Sequence, residues 1–363
     1  MASPVIAEVS PVVRPTGREE AWRFTPLERL GGLLDGLTAD STAIDVAMDL
    51  PAAVQVATDL THTSRSDAPL DALAQHALAQ APSTVLLTVP AEADLDAPLR
   101  VSLSGTDATA ASHVHLVLDV RHHASAVLVL DHSGATQTAE LLEVLVGDGA
   151  HVTVVSLHEQ DRDAVLGATH AARVGRDATY RHVAVSLGGD LVRLVQHVSY
   201  VGPGGDAVLD GAFLTGAGQH HEHRLLVDHG VPSCRSRVTY KGALQGEGAH
   251  SVWVGDVLIR AEAVGTDTYE TNRNLVLTEG ARADSVPNLE IETGEVAGAG
   301  HASATGRFDE EQLFYLQARG IPADTARRLV VSGFFAGILD TVAAVDPALH
   351  ERLTARVAAL VQA

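Results

Sequence analysis

The sequence predicts a mainly β protein built as a solenoid, with helical regions at both ends. Three observations support this prediction. Between Val85 and Val296, helical periodicity gives way to short runs in which apolar and polar residues alternate, as they do in β-strands. Turns made of glycine, a polar residue and alanine precede several of these runs. Aromatic residues are only 4% of the chain, which suits a narrow core of valine, leucine, isoleucine and alanine.

The N-terminal region, residues 1–82, has the pattern of short helices joined by polar loops. Helical periodicity covers Pro26–Leu37 and Pro69–Ala79. The second of these segments carries one apolar stripe at helical spacing, formed by Ala72, Leu73, Ala77 and Leu78. We therefore expect an N-terminal helical region that precedes the solenoid.

Residues 83–306 are predicted to form the solenoid, because turn and strand signals repeat along them. The first three turns end in Ala150, Ala178 and Ala207, which are 28 and 29 residues apart. Later turns, up to the one that ends in Ala281, are more widely spaced. Irregular repeats of this kind are typical of a β-solenoid, in which each coil buries its inner face only by stacking on its neighbours. The pattern leaves a sandwich of antiparallel hairpins open as the alternative.

Residues 307–363 are predicted to form a helical domain of at least three helices. Asp309 is placed to cap the first helix, and Gly320 to end it. Pro322 suits the first turn of the second helix, and Asp346-Pro347 begins the third. Helical periodicity then continues to the end of the chain.

The C-terminal helices are nearly neutral, although the whole chain is strongly acidic. Residues 307–363 carry six arginines and seven acidic residues, whereas the formal net charge of the chain is −21. Phe334 and Phe335 stand side by side in the second predicted helix. One ring could be buried while the other is presented to a partner, or both could belong to the core of the helical domain.

The composition argues against several classes of function. A net charge of −21 repels phosphate backbones and anionic lipid, so neither nucleic-acid binding nor membrane insertion is expected. Lys241 is the only lysine, and Gly242 follows it where a Walker-type site requires serine or threonine. We therefore expect no ATP site in this chain. The sequence also lacks the GxSxG and HExxH motifs of common hydrolases.

Cysteine usage and targeting signals point to a reducing compartment. Cys234 is the only cysteine, so an internal disulfide and a CxxC metal site are both excluded. Met1–Glu20 shows no basic segment followed by an apolar run, so no secretory signal is predicted. The most apolar stretch, Leu329–Val345, contains Asp340 and falls short of a membrane span. We expect an acidic, cytoplasmic protein.

The densest group of histidines is His220–His223, with His229 six residues further on. In a strand, His221, His223 and His229 share one face. His221 and His223 could form half of a metal site whose other ligands come from an adjacent coil, or they could form a hydrogen-bonded polar ladder. A solenoid enzyme with its site near these two histidines is the corresponding functional alternative.

The roles of two further residues, Cys234 and His301, are left open by the residue pattern. Cys234 precedes Arg235 and Arg237, which would lower the pKa of its thiol if they point toward it. A lone buried cysteine, in contrast, packs as a small hydrophobic residue. His301 is the single imidazole in a run of small residues, 296–306. That run either lets another backbone or a cluster approach closely or forms a hinge loop with an incidental histidine.

Several segments carry a resemblance to a known family. Three of them are HEHRLLVDHGVPSCRSRVTYKGAL, TDTYETNRNLVLTEGARADSVPNLEIETGEV and GHASATGRFDEEQLFYLQARGI, all between His221 and Ile321. Together with Glu20–Leu27 near the start, they make the chain resemble the SufB/SufD family of iron–sulfur cluster assembly proteins, and most of all its SufD-like members. The resemblance extends over nearly the whole chain.

The resemblance implies a right-handed parallel β-helix between an N-terminal helical region and a C-terminal helical domain. It implies a non-catalytic scaffold subunit that pairs through its β-helix with a SufB-like subunit. The C-terminal helices of such chains dock a SufC-like ABC ATPase, which would account for a chain that has no ATP site of its own. A homodimeric β-solenoid interaction module without a metal role is the alternative. Whether the flavin proposed for the family binds this chain is left open by the sequence.

The resemblance also implies roles for individual residues. His301 matches the family's interfacial histidine, a candidate ligand of a transient iron–sulfur cluster shared with the partner. Ala299 and Gly300 replace the Cys-Ser pair that precedes this histidine in the family, so any thiolate at the site must come from the partner. Cys234 matches a family position. The residues expected to dock the ATPase are Phe314, Tyr315, Arg319, Phe334 and Phe335.

Overall fold

The computed structural model describes residues 12–35, 40 and 42–361, which form a parallel β-solenoid of about eight coils with helices at both ends. Its strands are β1 (Ile44–Asp49), β2 (Gln55–Asp59), β3 (Thr84–Val89), β4 (Leu99–Val120), β5 (Ser125–Val146), β6 (His151–His158), β7 (Val165–Val174), β8 (Thr179–Ser186), β9 (Leu191–Tyr200), β10 (Asp206–Thr215), β11 (His220–His229), β12 (Arg235–Leu244), β13 (His250–Ile259), β14 (Asp267–Val276), β15 (Arg282–Ile291) and β16 (Gly298–Arg307). Its α-helices are α1 (Gly31–Leu34), α2 (Ala72–Gln80), α3 (Glu310–Ala318), α4 (Ala323–Ala343) and α5 (Pro347–Leu360), and 3₁₀ turns cover Glu20–Trp22 and Leu27–Leu30.

Each coil supplies one strand to each of two facing parallel sheets. The long strand β5 belongs to both sheets, because its first half pairs with β6 and its second half pairs with β7. From there, even-numbered strands extend one sheet to β16, and odd-numbered strands extend the other to β15. Paired residues of successive coils are 26 to 32 positions apart, as for Ser125 with His151 and Arg235 with Asp267. The solenoid prediction is confirmed, and the sandwich of antiparallel hairpins is wrong.

One turn of each coil is stabilised by a residue in the left-handed backbone region. In successive coils these residues have φ between 52° and 79°, and they are His123, Gly149, Asp177, Gly204, Ser233 and Gly265. Backbone hydrogen bonds join this turn to the next coil, as from the N–H of Gly149 to the carbonyl of Arg176 at 2.8 Å. Glycine is frequent here because it adopts positive φ without steric cost. The repeated glycine signal in the sequence therefore marks a real structural repeat.

A row of small residues lies directly after these turns and faces the core. Backbone hydrogen bonds between successive coils show that these residues are stacked. For example, His151, which follows Ala150, donates to the carbonyl of Ala124. The members of the row are Ala124, Ala150, Ala178, Gly205 and Cys234. The sequence pattern placed Ala207 in this row, but the pairing of Asp206 with Thr179 shows that Gly205 occupies the place.

The uneven spacing of the later turns also has a structural cause. The turns that end in Ala249 and Ala281 precede β13 and β15, which belong to the odd-numbered sheet. The first three turns instead precede β6, β8 and β10 of the even-numbered sheet. Two families of turns, one for each sheet, are therefore interleaved along the chain.

Helices cover the outer faces of both sheets. The C-terminal helix α4 packs on β8, β10 and β12, where its buried residues Phe335 and Ile338 join Val183 and Leu214 of the sheet in one apolar cluster. On the other face, α2 packs on β4, β5 and β7 through residues such as Leu73. Burying an apolar side chain of this size stabilises the fold by about 1.5–3 kcal/mol. The apolar stripes of the helices are thus explained by the sheets beneath them.

The predicted C-terminal helices are confirmed together with their start and stop signals. Asp309 accepts a hydrogen bond from the N–H of Glu311 at 2.9 Å, and Gly320 ends α3 with a φ of 86°. Asp346 caps α5 by accepting from the N–H groups of Ala348 and Leu349 at 2.9 and 3.1 Å. Capping satisfies N–H groups that have no partner within the helix.

The N-terminal region differs in part from the prediction. The helix expected over Pro69–Ala79 is confirmed as α2, but only residues 27–34 of Pro26–Leu37 are helical, and residues 36–39 lie outside the described part of the chain. Two strands, β1 and β2, add to the solenoid by antiparallel pairing with β4 and β3. The region is therefore not purely helical. Among the described residues, no helix combines the length and the apolar character needed to cross a membrane.

Close packing between neighbouring coils gives a first prediction. In β12, Gly242 leaves room for the ring of Phe213 in β10, and a Cβ atom at position 242 would overlap that ring. We expect Gly242→Ala to lower the free energy of unfolding by about 1–3 kcal/mol, the usual cost of overpacking a core. Urea denaturation followed by circular dichroism measures this change.

The matched control is Gly333→Ala, because it adds the same methyl group to open space in α4. Alanine is the better helix former, so this variant should be more stable by up to about 1 kcal/mol. An unchanged denaturation midpoint for Gly242→Ala would contradict the packing argument.

Candidate functional site

The solenoid ends in two strands whose outer edges are unpaired. Among the described residues, β16 pairs only with β14, and β15 pairs only with β13. Nearly all of β16 is exposed, and β15 is at most half-buried. An unpaired, exposed edge presents N–H and C=O groups that can pair with a strand of another chain. We call β15 and β16 together the terminal edge.

The hydrogen bonds at the ends of β16 show which of its backbone groups are free to face a partner. Gly298 and Phe308 donate to the carbonyls of Thr266 and Val276 at 3.2 and 2.9 Å. Because a strand alternates, the N–H groups of the odd-numbered residues between them point away from β14. These residues are Ala299, His301, Ser303, Thr305 and Arg307.

His301 lies in this edge strand, so the hinge loop predicted for residues 296–306 is wrong. The run of glycine and alanine has little strand propensity of its own, and it is extended because β14 offers a complete ladder of backbone partners. His301 is exposed and pairs in register with Glu270 of β14. Its side chain therefore faces the same way as that of Glu270, toward the open end of the solenoid interior.

Polar side chains line the solenoid interior near the terminal edge. The buried positions of β14 are Thr268, Glu270, Asn272 and Asn274. Ser285 of β15 bonds to two of them, donating to Oδ1 of Asn272 at 2.6 Å and accepting from Nδ2 of Asn274 at 3.0 Å. Hydrogen bonds therefore join β15 of the terminal edge to β14 in the facing sheet.

Glu270 differs from these neighbours because its carboxyl group has no hydrogen-bond partner among the described residues. Its side chain is 1% exposed. Burial, with a smaller contribution from the charge of Asp256, raises the pKa of Glu270 to about 8. Gly255 across the core leaves room for the carboxyl group, since a Cβ atom there would lie 2.9 Å from Glu270 Oε2. No prediction from the sequence named Glu270.

His221 and His223 share one face of β11, as their spacing predicted, and this face is turned to the solenoid interior. Nδ1 of His221 lies 3.1 Å from Oγ1 of Thr215, and its Nε2 lies 3.0 Å from the carbonyl oxygen of Gly188. Nε2 of His223 lies 3.0 Å from Oγ of Ser186. Burial lowers the pKa of His221 to about 4 and that of His223 to about 3, so both rings are neutral near pH 7. This geometry is that of a hydrogen-bonded polar ladder.

A longer chain of buried hydrogen bonds runs through the middle coils. Glu140 bonds to Nε2 of His132 at 2.7 Å through one oxygen and to Nε2 of His170 at 2.8 Å through the other. Nδ1 of His170 lies 2.9 Å from Nε2 of His182, whose Nδ1 lies 2.6 Å from the amide nitrogen of Gln196. All five side chains are buried.

The groups at the two ends of this series of hydrogen bonds decide which ring nitrogens of the histidines carry protons. Because the amide nitrogen of Gln196 can only donate, the two imidazoles between it and Glu140 are neutral, and each donates one N–H toward the carboxylate. At the other end, Nδ1 of His132 donates to the carbonyl of Leu157 at 3.0 Å, and its Nε2 donates to Glu140. His132 therefore carries both ring protons and forms a buried ion pair with Glu140.

The pKa shifts agree with this assignment. Burial acts to lower the pKa of His132, but the charge and hydrogen bond of Glu140 outweigh it, so the pKa is raised. Burial acts to raise the pKa of Glu140, but His132 and His170 hold it well below its usual range. The ion pair is therefore formed at pH values where an isolated histidine would be losing its proton.

Cys234 packs as a small core residue. It is 1% exposed and belongs to the row of small residues after the turns. Arg235 contacts Asp206 at 3.3 Å, and Arg237 contacts Asp267 at 2.6 Å. Neither arginine activates the thiol, and burial raises its pKa. Of the two alternatives left open for Cys234, the structure therefore supports the small buried residue.

The residues expected to dock an ATPase fall into two groups. Phe314 and Tyr315 of α3 are 71% and 57% exposed, and Arg319 donates to the hydroxyl of Tyr315 at 2.7 Å. Phe335 is fully buried in the core between α4 and the solenoid, so a partner cannot contact its ring in this conformation. Phe334 is half-buried. Of the adjacent phenylalanines, one is thus buried and the other is partly accessible.

Taken together, the fold and its terminal edge define a parallel β-solenoid with an open, pairable end and a helical domain on one face. A family model described as the SufBD core domain of SUF-system iron–sulfur cluster assembly matches residues 102–334. The chain belongs to this SufBD family.

Individual relatives agree with the family match. An iron–sulfur cluster assembly SufBD family protein of Mycobacterium bovis is 49% identical over 352 residues, which cover 94% of this chain and 88% of that protein. The iron–sulfur cluster assembly protein SufD of Escherichia coli is 25% identical over 70% of this chain and 56% of its own length. SufD of Bacillus subtilis is 26% identical over 70% of this chain and 59% of its own length.

The buried ion pair gives a second prediction. Glu140→Gln leaves the charge of His132 unbalanced, and breaking such a pair costs about 3–5 kcal/mol. The lowered pKa of Glu140 contributes stability above the usual glutamate pKa of about 4.3. The raised pKa of His132 contributes stability below the usual histidine pKa of about 6.5, and this is lost as pH rises through the raised value.

The loss of stability in Glu140→Gln should therefore be largest between about pH 5 and pH 6.5 and should shrink at alkaline pH. Urea denaturation of the unmodified protein and of Glu140→Gln, from about pH 5 to alkaline pH, tests this expectation. Glu279→Gln is the control, because Glu279 is exposed and its replacement should change stability by less than about 0.5 kcal/mol. A deficit that does not depend on pH would rule out the charged form of the pair.

Proposed function

We propose that this chain is a non-catalytic scaffold subunit of the SUF system that acts in the cytoplasm. In this proposal it pairs with a SufB-like subunit through the terminal edge and docks a SufC-like ABC ATPase on its C-terminal helices. The single observation that carries the proposal is the exposed, unpaired β16 with His301 at its centre. Membership of the SufBD family supplies the cargo, a nascent iron–sulfur cluster.

The chemistry of His301 suits a transient site. An imidazole ligates iron, but it binds iron more weakly than a thiolate does. No thiolate of this chain can complete the site, because Cys234 is the only cysteine and is buried in the solenoid core before β12. Among the described residues, no group of three or more His, Cys, Asp or Glu side chains is arranged to hold a metal ion. The remaining ligands would come from the partner.

Polar contacts attach the helical domain to the solenoid, so a force on the helices would be transmitted to the strands. Lys241 of β12 donates to the carbonyl of Phe334 at 2.7 Å. Arg100 forms an ion pair with Asp346 at 2.6 Å at the start of α5. The single lysine therefore fastens the helices to the sheet. An ATPase bound to the exposed residues of α3 would act on the solenoid through these contacts.

Backbone pairing at the terminal edge gives a third prediction. Ser303→Pro removes an N–H that points away from β14, so the strand should keep its place in the solenoid and lose one hydrogen bond to a partner strand. The proline ring should also obstruct pairing of a further strand. We expect co-purification with a SufB-like subunit to fall at least tenfold.

Ser303→Ala is the matched control, since it changes the same side chain and keeps the N–H. The melting temperature of each purified variant shows whether the fold is intact. Equal recovery of partner with Ser303→Pro would contradict pairing through β16. If the chain alone is a dimer that Ser303→Pro converts to a monomer, and no SufB-like subunit binds, the homodimeric module is the correct function.

The role of His301 gives a fourth prediction. In the complex of this chain with SufB-like and SufC-like subunits, His301→Ala should reduce the iron and sulfide retained after anaerobic reconstitution by about tenfold, the lower end of the effect of losing one metal-site group. His122→Ala is the control, because His122 is an exposed histidine of an early turn. Equal iron content in the two variants would sink the ligand assignment while leaving the pairing prediction intact.

A further inference from the structure

Glu270 lies one strand behind His301 and faces the same space. The ladder pairs the two residues directly, and neighbouring strands of a sheet are about 4.8 Å apart. The side chains of a register pair point to the same face, which here is the solenoid interior, because Glu270 follows Val238 of the core at this position. An imidazole at the open end and a carboxyl group just inside it therefore stand one above the other.

The carboxyl group of Glu270 is exceptional among the deeply buried glutamates of the described chain. Glu140 bonds to two histidines, Glu143 to His115, Ser64 and backbone N–H groups, and Glu222 to Thr25, His220 and Arg224. Both oxygens of Glu270 lack such partners. A buried carboxyl group without a partner is destabilising by several times the value of one hydrogen bond unless a cation or a donor reaches it.

The surroundings of Glu270 keep space for its carboxyl group. Gly255 stands opposite in β13, where any side chain would collide with the carboxyl group and with the ring of Trp253. The indole N–H of Trp253 also has no partner among the described residues. On the open side, His301 is exposed and no further coil covers the pair within the described chain. The unpartnered group is thus buried, and the ladder places His301 on the side of it where the solenoid ends.

We propose that Glu270 is a second iron-binding group of this chain, which acts with His301 on the iron held at the terminal edge. This inference rests on the proposed function and deepens it. Carboxylate oxygen and imidazole nitrogen both ligate iron. Iron(II) held by the partner's ligands would meet the imidazole at the edge and the carboxyl oxygen from inside the solenoid. The carboxylate oxygen replaces a water ligand of the iron, any proton on the carboxyl group passes to water, and iron does not change its oxidation state.

The arrangement explains why the carboxyl group is tolerated without a partner. In the free subunit the group is buried, and its missing partner is the cation that arrives on assembly. A bound metal ion would supply the positive charge and the bond that no other residue gives to the carboxyl group. When the terminal edge separates from its partner, the iron loses the partner's ligands, and two weak ligands alone cannot retain it.

The test uses Glu270→Gln in the complex with SufB-like and SufC-like subunits. Glutamine keeps the shape of the side chain and removes its ability to bind iron as a carboxylate. We expect the affinity of the complex for iron(II), measured by competition with a chelator, to fall about 10-fold or more. The melting temperature of the isolated chain should change little, because one buried polar group without a partner is replaced by another of the same shape. Glu279→Gln is the control, since Glu279 is exposed and lies outside the terminal edge.

A second measurement separates iron binding from a structural role. X-ray absorption at the iron edge should show fewer nitrogen or oxygen neighbours per iron in Glu270→Gln than in the unmodified complex. The double variant His301→Ala/Glu270→Gln should bind iron no more strongly than either single variant. An unchanged iron environment in Glu270→Gln, with or without a lower melting temperature, would overturn the inference.

The outcomes also separate this inference from the proposed function. If His301→Ala lowers iron affinity and Glu270→Gln does not, the inference about Glu270 is wrong and the proposed site stands. If neither variant changes iron affinity while the complex still assembles, the metal role of the terminal edge is wrong. If no complex assembles with the unmodified chain, the proposed function itself fails.

Discussion

The whole structure depends on one constraint, which is that a coil of the solenoid is stable only against another coil. The backbone groups of each strand are satisfied by the strands before and after it, and the inner side chains are covered in the same way. The left-handed turn residues and the space that Gly242 leaves for Phe213 both follow, because coils must approach to about 4.8 Å. At β16 the ladder ends, so its outer edge must be satisfied by water or by another chain.

The same constraint decides where buried polar groups are stable. In the middle coils, a carboxylate can find partners both across the core and along it, as Glu140 does with His132 and His170. The chain of imidazoles beyond it is complete, because its members lie in coils that have neighbours on both sides. Glu270 lies next to the last coil and lacks this choice. A satisfied network thus fixes the register of the middle coils, while an unsatisfied group lies at the end where we propose that a partner binds.

Features governed by local rules could be predicted from the sequence. The solenoid, the three C-terminal helices and the shared face of His221 and His223 follow from alternation, turn glycines and capping residues. Features governed by register could not. The run at 296–306 has the composition of a loop and becomes a strand only because β14 precedes it in the stack. Glu270 was missed because its signal, alternate polar residues along β14, has meaning only once the inward face is known.

The position of the helical domain explains how a partner could be released without unfolding the solenoid. α4 packs on β8, β10 and β12, the sheet that ends in β16, and Phe308 leads from β16 directly toward α3. A force applied to these helices would therefore be transmitted through the even-numbered sheet to β16 of the terminal edge. Each backbone hydrogen bond to a partner strand contributes only about 1 kcal/mol, whereas opening the solenoid breaks a full ladder and exposes its core. In the complex that we propose, the joint between the subunits would therefore separate before the solenoid opens.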